Sequence, residues 1–206
     1  MNVCKVPMLL LFAAVLTVAV LPQGAAAATD VFRFKGQSAL AFFESVDETG
    51  CVHTFVAVGG SADQRREGSE ATASSWAFVS VDQYDSCTNT FVFSGYNEAR
   101  DGRVDINSAL TTGSVVATID LYDFRTGATT TMAVDVEWTG TGDVFRSTWR
   151  ETTDGPTIKH IFSGKGTSRV STATGSISDG STEYLSGPST DAALRKLTSG
   201  ELVIQR

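Results

Sequence analysis

The stretch Ser114-Val-Val-Ala-Thr-Ile-Asp-Leu-Tyr-Asp123 decides the fold class. Val115, Ala117, Ile119 and Leu121 fall on one side of an extended chain, Thr118 and Asp120 on the other. A period of two predicts a strand with one buried and one wet face. The pattern returns at Thr131–Thr139, where Met132, Val134, Val136 and Trp138 alternate with Ala133, Asp135 and Glu137. Working outward, β-branched and aromatic runs punctuated by Gly, Asp and Thr predict further strands at 31–35, 38–46, 51–58, 75–83, 89–96, 103–110, 144–151, 157–163 and 168–178. Pro156 and Pro188 both sit in apparent turns. The expectation is an all-β, single antiparallel domain of about 10–12 strands. Segment 190–200 reads either as a short helix capped by Thr190 and closed by Gly200, or as a final hairpin with 201–205.

An internal register refines this architecture. Asp47, Asp85 and Asp123 are 38 residues apart, and an acid (Glu44, Asp82, Asp120) precedes each by three positions. Tyr84 and Tyr122 directly precede the second and third aspartates. A strand runs into each aspartate, a turn follows and another strand runs out, so the chain reads as repeated hairpins. Such connectivity closes most simply as an up-and-down barrel, which also hides strand edges. A two-sheet β-sandwich is the alternative. In the barrel the three turns share one end. Cys51 and Cys87 each follow a turn aspartate, so a disulfide between them would tie the first hairpin to the second.

Residues 1–28 carry Lys5, an apolar run from Val6 to Leu21 and Ala26-Ala27-Ala28, the three parts of a secretory signal peptide. The apolar run falls short of the ~20 residues needed to cross a bilayer. The expectation is therefore a secreted or periplasmic chain, 29–206, with no stable membrane span after cleavage. With 42% apolar and 19% charged residues and a net charge of −7, the composition excludes a coiled coil, a collagen-like chain and a highly charged disordered protein. The sequence holds no run of Lys and Arg, which argues against a nucleic-acid partner.

Candidate sites follow from residue type and position. The three turn aspartates are oxygen donors and weak calcium candidates, but none lies in a dense ligand loop, and turn chemistry accounts for Asp there. His160 lies between Ile158 and Phe162 on one strand face and is expected to point inward; His53 shares a face with Cys51, Phe55 and Ala57. Trp138, before Thr139-Gly140-Thr141-Gly142, and Trp149, on the face of Phe145, are candidates for lining a barrel mouth. Two polar stretches read as connections: a long loop at 59–74, and a hairpin turn at 97–103 with an Asp101-Gly102 signal. No nucleophile elbow, phosphate loop or cofactor motif is present. The resulting expectation is a non-catalytic binding module for a small apolar or carbohydrate ligand. The alternatives are a structural or protein-interaction protein of the cell envelope and a small secreted hydrolase or isomerase.

Overall fold

The computed structural model describes residues 29–205; the signal sequence expected at 1–28 lies outside the described residues. Nine strands form one antiparallel sheet: β1 (Thr29–Val46), β2 (Val52–Glu67), β3 (Glu70–Asp85), β4 (Thr90–Ala99), β5 (Arg103–Ile106), β6 (Thr112–Asp123), β7 (Thr129–Asp154), β8 (Lys159–Ser178) and β9 (Asp191–Gln205). Their order is β4-β3-β2-β1-β9-β8-β7-β6-β5, and a further β4–β6 pairing closes the ring. The chain is thus all-β with a barrel-like up-and-down topology. The β4–β6 seam is short, Gly95 with Asp123 and Tyr96 with Tyr122.

Period-two alternation sets which side chains fill the barrel. Val115, Ile119 and Leu121 of β6 face Met132, Val134, Val136 and Trp138 of β7, all at most 2% exposed. Ala39, Ala41, Phe43, Val56, Val58, Ala77, Val79 and Val81 complete the interior from β1 to β3. Each end is stopped. At one, Tyr184 and Leu185, from the β8–β9 connection, pack on the core. At the other, Leu110 is 1% exposed in a left-handed conformation (φ 56°) between β5 and β6.

The predicted strand count exceeds nine because three expected interruptions, at 36–37 in β1, 140–143 in β7 and 164–167 in β8, are continuous strand. Glycine reads as punctuation in the sequence, but at 164 and 166 it makes room for a ring. A side-chain carbon at Gly164 would stand 2.5 Å from Trp149 Cζ2, and one at Gly166 3.2 Å from its Cζ3. Residues 140–144 similarly contain a register shift within β7, not a break.

Two expected connections are corrected, and one open segment is settled. The polar loop at 59–74 is β2 and β3 running on in unbroken register from Val52–Asp85 to Glu67–Glu70, turned at Gly68 (φ 56°). Segment 190–200, open between helix and strand in the sequence, is strand: not a hairpin with 201–205 but one continuous β9 with it, paired with β1 and β8. Residues 97–103 do not close a hairpin: β4 and β5 follow one another along the same edge of β6.

The first of these corrections has a physical reason. Six strands (β3, β2, β1, β9, β8 and β7) continue past the closed barrel as an open sheet. Both faces of that extension meet solvent over most of its area, so strand pairing there does not require apolar alternation. Its outward face keeps a small cluster in which Phe32 and Leu202 are buried, Trp149 lies 6.4 Å from Phe162 and the Arg65 guanidinium stands 4.4 Å over the Phe32 ring.

Candidate functional site on the outer wall

The three register aspartates share the closed end, and each is held by its own turn. Asp47 Oδ1 accepts from the backbone N–H of Cys51 (3.0 Å) and Val52 (3.0 Å), and Thr49 Oγ1 donates to both carboxylate oxygens. Asp85 Oδ1 accepts from Cys87 N–H (2.8 Å) and Thr88 N–H (3.0 Å). Asp123 accepts from Arg125 N–H (2.9 Å) and Thr126 Oγ1 (2.6 Å). These bonds favour the charged form and hold all three carboxyls below their ordinary range. The donor atoms proposed for calcium are thus engaged in turn hydrogen bonds.

Cys51 and Cys87 are disulfide-bonded with a Cα–Cα separation of 5.3 Å, joining the β1–β2 turn to the β3–β4 turn. Ser86 reinforces the junction by donating from both N–H (2.9 Å) and Oγ (3.0 Å) to Cys51 O. A fourth aspartate of the same kind escaped the register. Asp179, in the β8–β9 connection, accepts from Ser181 N–H, Ser181 Oγ, Thr182 N–H and the Tyr184 hydroxyl. With the Ser181 bonds leading, its pKa falls to about 2, while burial and the neighbouring Asp179 push Tyr184 up to about 12. Asp179 falls 56 residues after Asp123, because the long excursion of β7 and β8 through the extension intervenes.

The residues proposed to line a barrel mouth do not come together. Trp138 is 1% exposed inside the core, where its indole N–H donates to Leu40 O at 3.0 Å. Trp149 lies on the outward face of the extension against Gly164 and Gly166. His160 is exposed on that outward face rather than pointing inward, aligned with Ile204 and Thr153. Large side chains fill the lumen that these residues were expected to open onto.

The feature missed by sequence reasoning lies on the outside of the barrel. Cross-strand partners share a face, and the outer row Glu44–Phe55–Asp82–Ser94 crosses β1, β2, β3 and β4. The next row toward the closed end is Val46–His53–Tyr84–Phe91. Phe55 is 44% and Phe91 55% exposed. Together with Tyr84, Asp82 and Ser94 they line an open cleft of about 460 Å³. A second cleft of about 340 Å³ shares Phe55 and Asp82 and adds Glu44 and Thr190 on its far side. Phe55 is therefore a ridge with a carboxylate on each flank.

The ridge and its surroundings are positioned by local contacts. Ser94 Oγ donates to Asp82 Oδ1 at 2.6 Å, and the Tyr84 hydroxyl donates to Asn89 Oδ1 at 2.5 Å. Tyr84 meets Phe91 edge-on at 5.4 Å, and the His53 and Phe55 rings lie nearly parallel at 6.4 Å. The signal was present in the sequence. The face holding His53, Phe55 and Ala57 alternates with Thr54, Val56 and Val58, which are the buried set. Glu44 and Asp82, the leading acids of the 38-residue register, are the flanking carboxylates.

No protein-family model matches the chain, and neither a curated protein nor a solved structure is significantly similar to it.

Proposed function

We propose that the protein is an exported, non-catalytic binding module that takes a carbohydrate on the outer wall of its barrel. The observation carrying this reading is the exposed Phe55 ridge between Glu44 and Asp82, with Tyr84 and Phe91 as a second aromatic surface. A sugar ring has an apolar C–H face and a rim of hydroxyl donors. An exposed phenyl ring offers that face a platform, and carboxylates on either side accept from the rim. Of the two ligand classes expected, the apolar one suits an enclosed cavity, and the barrel interior is occupied by Trp138, Leu110, Met132 and their neighbours. Export is supported by the Cys51–Cys87 disulfide, which is compatible with an oxidising compartment.

The test is a thermal-shift screen with neutral oligosaccharides of glucose, mannose, xylose and N-acetylglucosamine. A sugar at a hundred times its Kd should stabilise the native protein by about 2.7 kcal/mol. Phe55→Ala should abolish the shift, and Asp82→Asn should weaken it. Silence across the panel, or a shift untouched by Phe55→Ala, rejects the reading.

A further inference from the structure

The second surface lies at the other end of the molecule, on the face of the open extension that continues the barrel interior. Its membership follows from register. From the inward-facing row Ala77–Gly60–Ala39–Leu194, the same face of β1 continues through Gln37, Lys35 and Arg33. Arg33 aligns with Arg66 on one side and Glu201 on the other; Glu201 aligns with Ser163, and Ser163 with Arg150. The row below runs Gln37–Lys196–Thr167–Arg146, and beneath it Arg169 follows Leu194. Lys165 aligns with Thr148 and Ser199, and Lys159 with Asp154 and Gln205.

One face thus gathers nine of the fourteen Lys and Arg between positions 29 and 205: Arg33, Lys35, Arg66, Arg146, Arg150, Lys159, Lys165, Arg169 and Lys196. Among the described residues on these paired rows, the carboxylates are Glu201, 3.5 Å from Arg33, and Asp154, 3.3 Å from Lys159. The sequence shows no basic run because the cations are scattered over five strands, and only the register assembles them. The rest of the molecule is strongly acidic, so the net charge of −7 conceals a marked separation of charge.

Arg33 and Arg66 are direct cross-strand partners sharing one neighbouring carboxylate, Glu201, so the trio keeps a net positive charge. From Lys159 to Arg169 along β8 the face measures roughly 33 Å at about 3.3 Å per residue, and from β2 to β7 roughly 19 Å across four strand spacings. Gln37, Gln64, Ser163, Thr148 and Thr167 stand among the cations and supply neutral hydrogen-bonding groups. The aromatic side chains of the extension (Phe32, Phe34, Phe145, Trp149, His160 and Phe162) belong to the opposite face. That leaves the basic face without the stacking platforms used for single-stranded nucleic acid, or the interfacial aromatic anchors of membrane-surface proteins. The floor is closed by the β5–β6 loop, where Gln37 Nε2 donates to Asn107 O at 3.2 Å and Leu110 plugs the barrel.

We propose that this face binds an acidic polysaccharide. Guanidinium and ammonium groups pair with carboxylate or sulfate substituents of the polymer, and the interleaved amides and hydroxyls pair with its ring hydroxyls. Binding there is independent of the Phe55 ridge, at the opposite end of the barrel.

The experiment measures affinity for polygalacturonate by titration calorimetry with the purified protein at 50 and 200 mM salt. The expected result is binding that weakens about tenfold or more between the two salts, because each neutralised charge releases counterions. Arg33→Gln/Arg66→Gln/Arg150→Gln should lose about tenfold or more at low salt, whereas Arg100→Gln/Arg125→Gln, outside the face, should bind as the parent does. Phe55→Ala should also retain full affinity, which separates failure of this proposal from failure of the ridge. Far-UV circular dichroism of each variant verifies that the sheet is intact. A second triple variant, Lys35→Gln/Lys165→Gln/Lys196→Gln, replaces the first if that one misfolds. Absence of binding, equal loss in the control variant, tighter binding to phosphatidylserine vesicles or to DNA, or sedimentation showing that the face joins two copies of the chain overturns the proposal.

Discussion

The open extension continues six of the nine strands that build the closed barrel, yet the two regions use period two differently. In the barrel the inward row passes through Ala39, Gly60 and Ala77, none more than lightly exposed, and the outward row carries acids. A few residues further along β1 and β2, the same inward parity places Arg33 beside Arg66. Pairing of β1 with β2 and of β2 with β3 runs unbroken across the boundary, so backbone pairing alone does not demand an apolar face. Ring closure does: it removes one face from water, and each side chain there is then selected for volume and apolarity.

That difference predicts where substitutions hurt. The largest effect is expected at Trp138. Trp138→Ala leaves a cavity inside the barrel and removes the indole hydrogen bond to Leu40 O, and should cost about 3–5 kcal/mol in urea unfolding. Trp149→Ala, the same truncation in the extension, should cost about 1 kcal/mol. Equal losses would mean that the extension is as tightly packed as the barrel.

Next comes the disulfide. Replacing Cys51 and Cys87 by Ser opens a loop of 36 residues and should cost about 3–4 kcal/mol in the chain-entropy account. Amide exchange should rise at the disulfide-linked turns of β1–β2 and β3–β4 and stay unchanged in the extension. Faster exchange at 144–154 would show that the two regions unfold as one unit.

Acid should distinguish the ends in the same direction. The lowered carboxyls of Asp47, Asp85, Asp123 and Asp179 all serve connections at the closed end. A carboxyl depressed by folding contributes stability that is fully present above its unfolded pKa of about 3.9 and is lost as pH falls through the folded value. The melting temperature should therefore decline between about pH 4 and pH 2, reaching the folded pKa of Asp179 near the lower limit. Asp179→Asn should flatten the lower part of that decline. An identical pH profile in the variant would remove Asp179 from the account.

The smallest effect has the opposite sign. Asp63 is half-buried where the barrel gives way to the extension, and burial raises its pKa despite hydrogen bonds from Ser61 and Trp76. A carboxyl raised by folding weakens the native state once pH exceeds its unfolded value. Asp63→Asn, which keeps an acceptor for Trp76, should give a slightly higher melting temperature at pH 7 and little change at pH 3. Loss of stability at pH 7 would show that the charge is needed for those hydrogen bonds.

The readable parts of the sequence were those governed by local chemistry. Alternation in 114–123 and 131–139 identified barrel strands because each has one face in the core. Aspartates at 47, 85 and 123 marked turns because Asp caps nearby backbone N–H groups, and their common period placed Cys51 beside Cys87. Where both faces of a strand are wet, as in 64–74, alternation disappears and the segment resembles a loop. Where glycine accommodates a ring, as at Gly164, the strand resembles a break.

The candidate sites were legible only in fragments. Phe55 was visible as a member of a face, and Glu44 and Asp82 as members of a repeat, but which face looks outward depends on the neighbouring strand. The sequence by itself determined the all-β class, the closed-end turns and the partner of each disulfide cysteine, since these follow from residue type and spacing. Tertiary structure decided that Trp138 is core, that Phe55 stands between two carboxylates and that nine scattered cations share one face. The reason is that a side chain's neighbours in a sheet lie one strand spacing away, about 4.8 Å in space yet tens of residues apart along the chain.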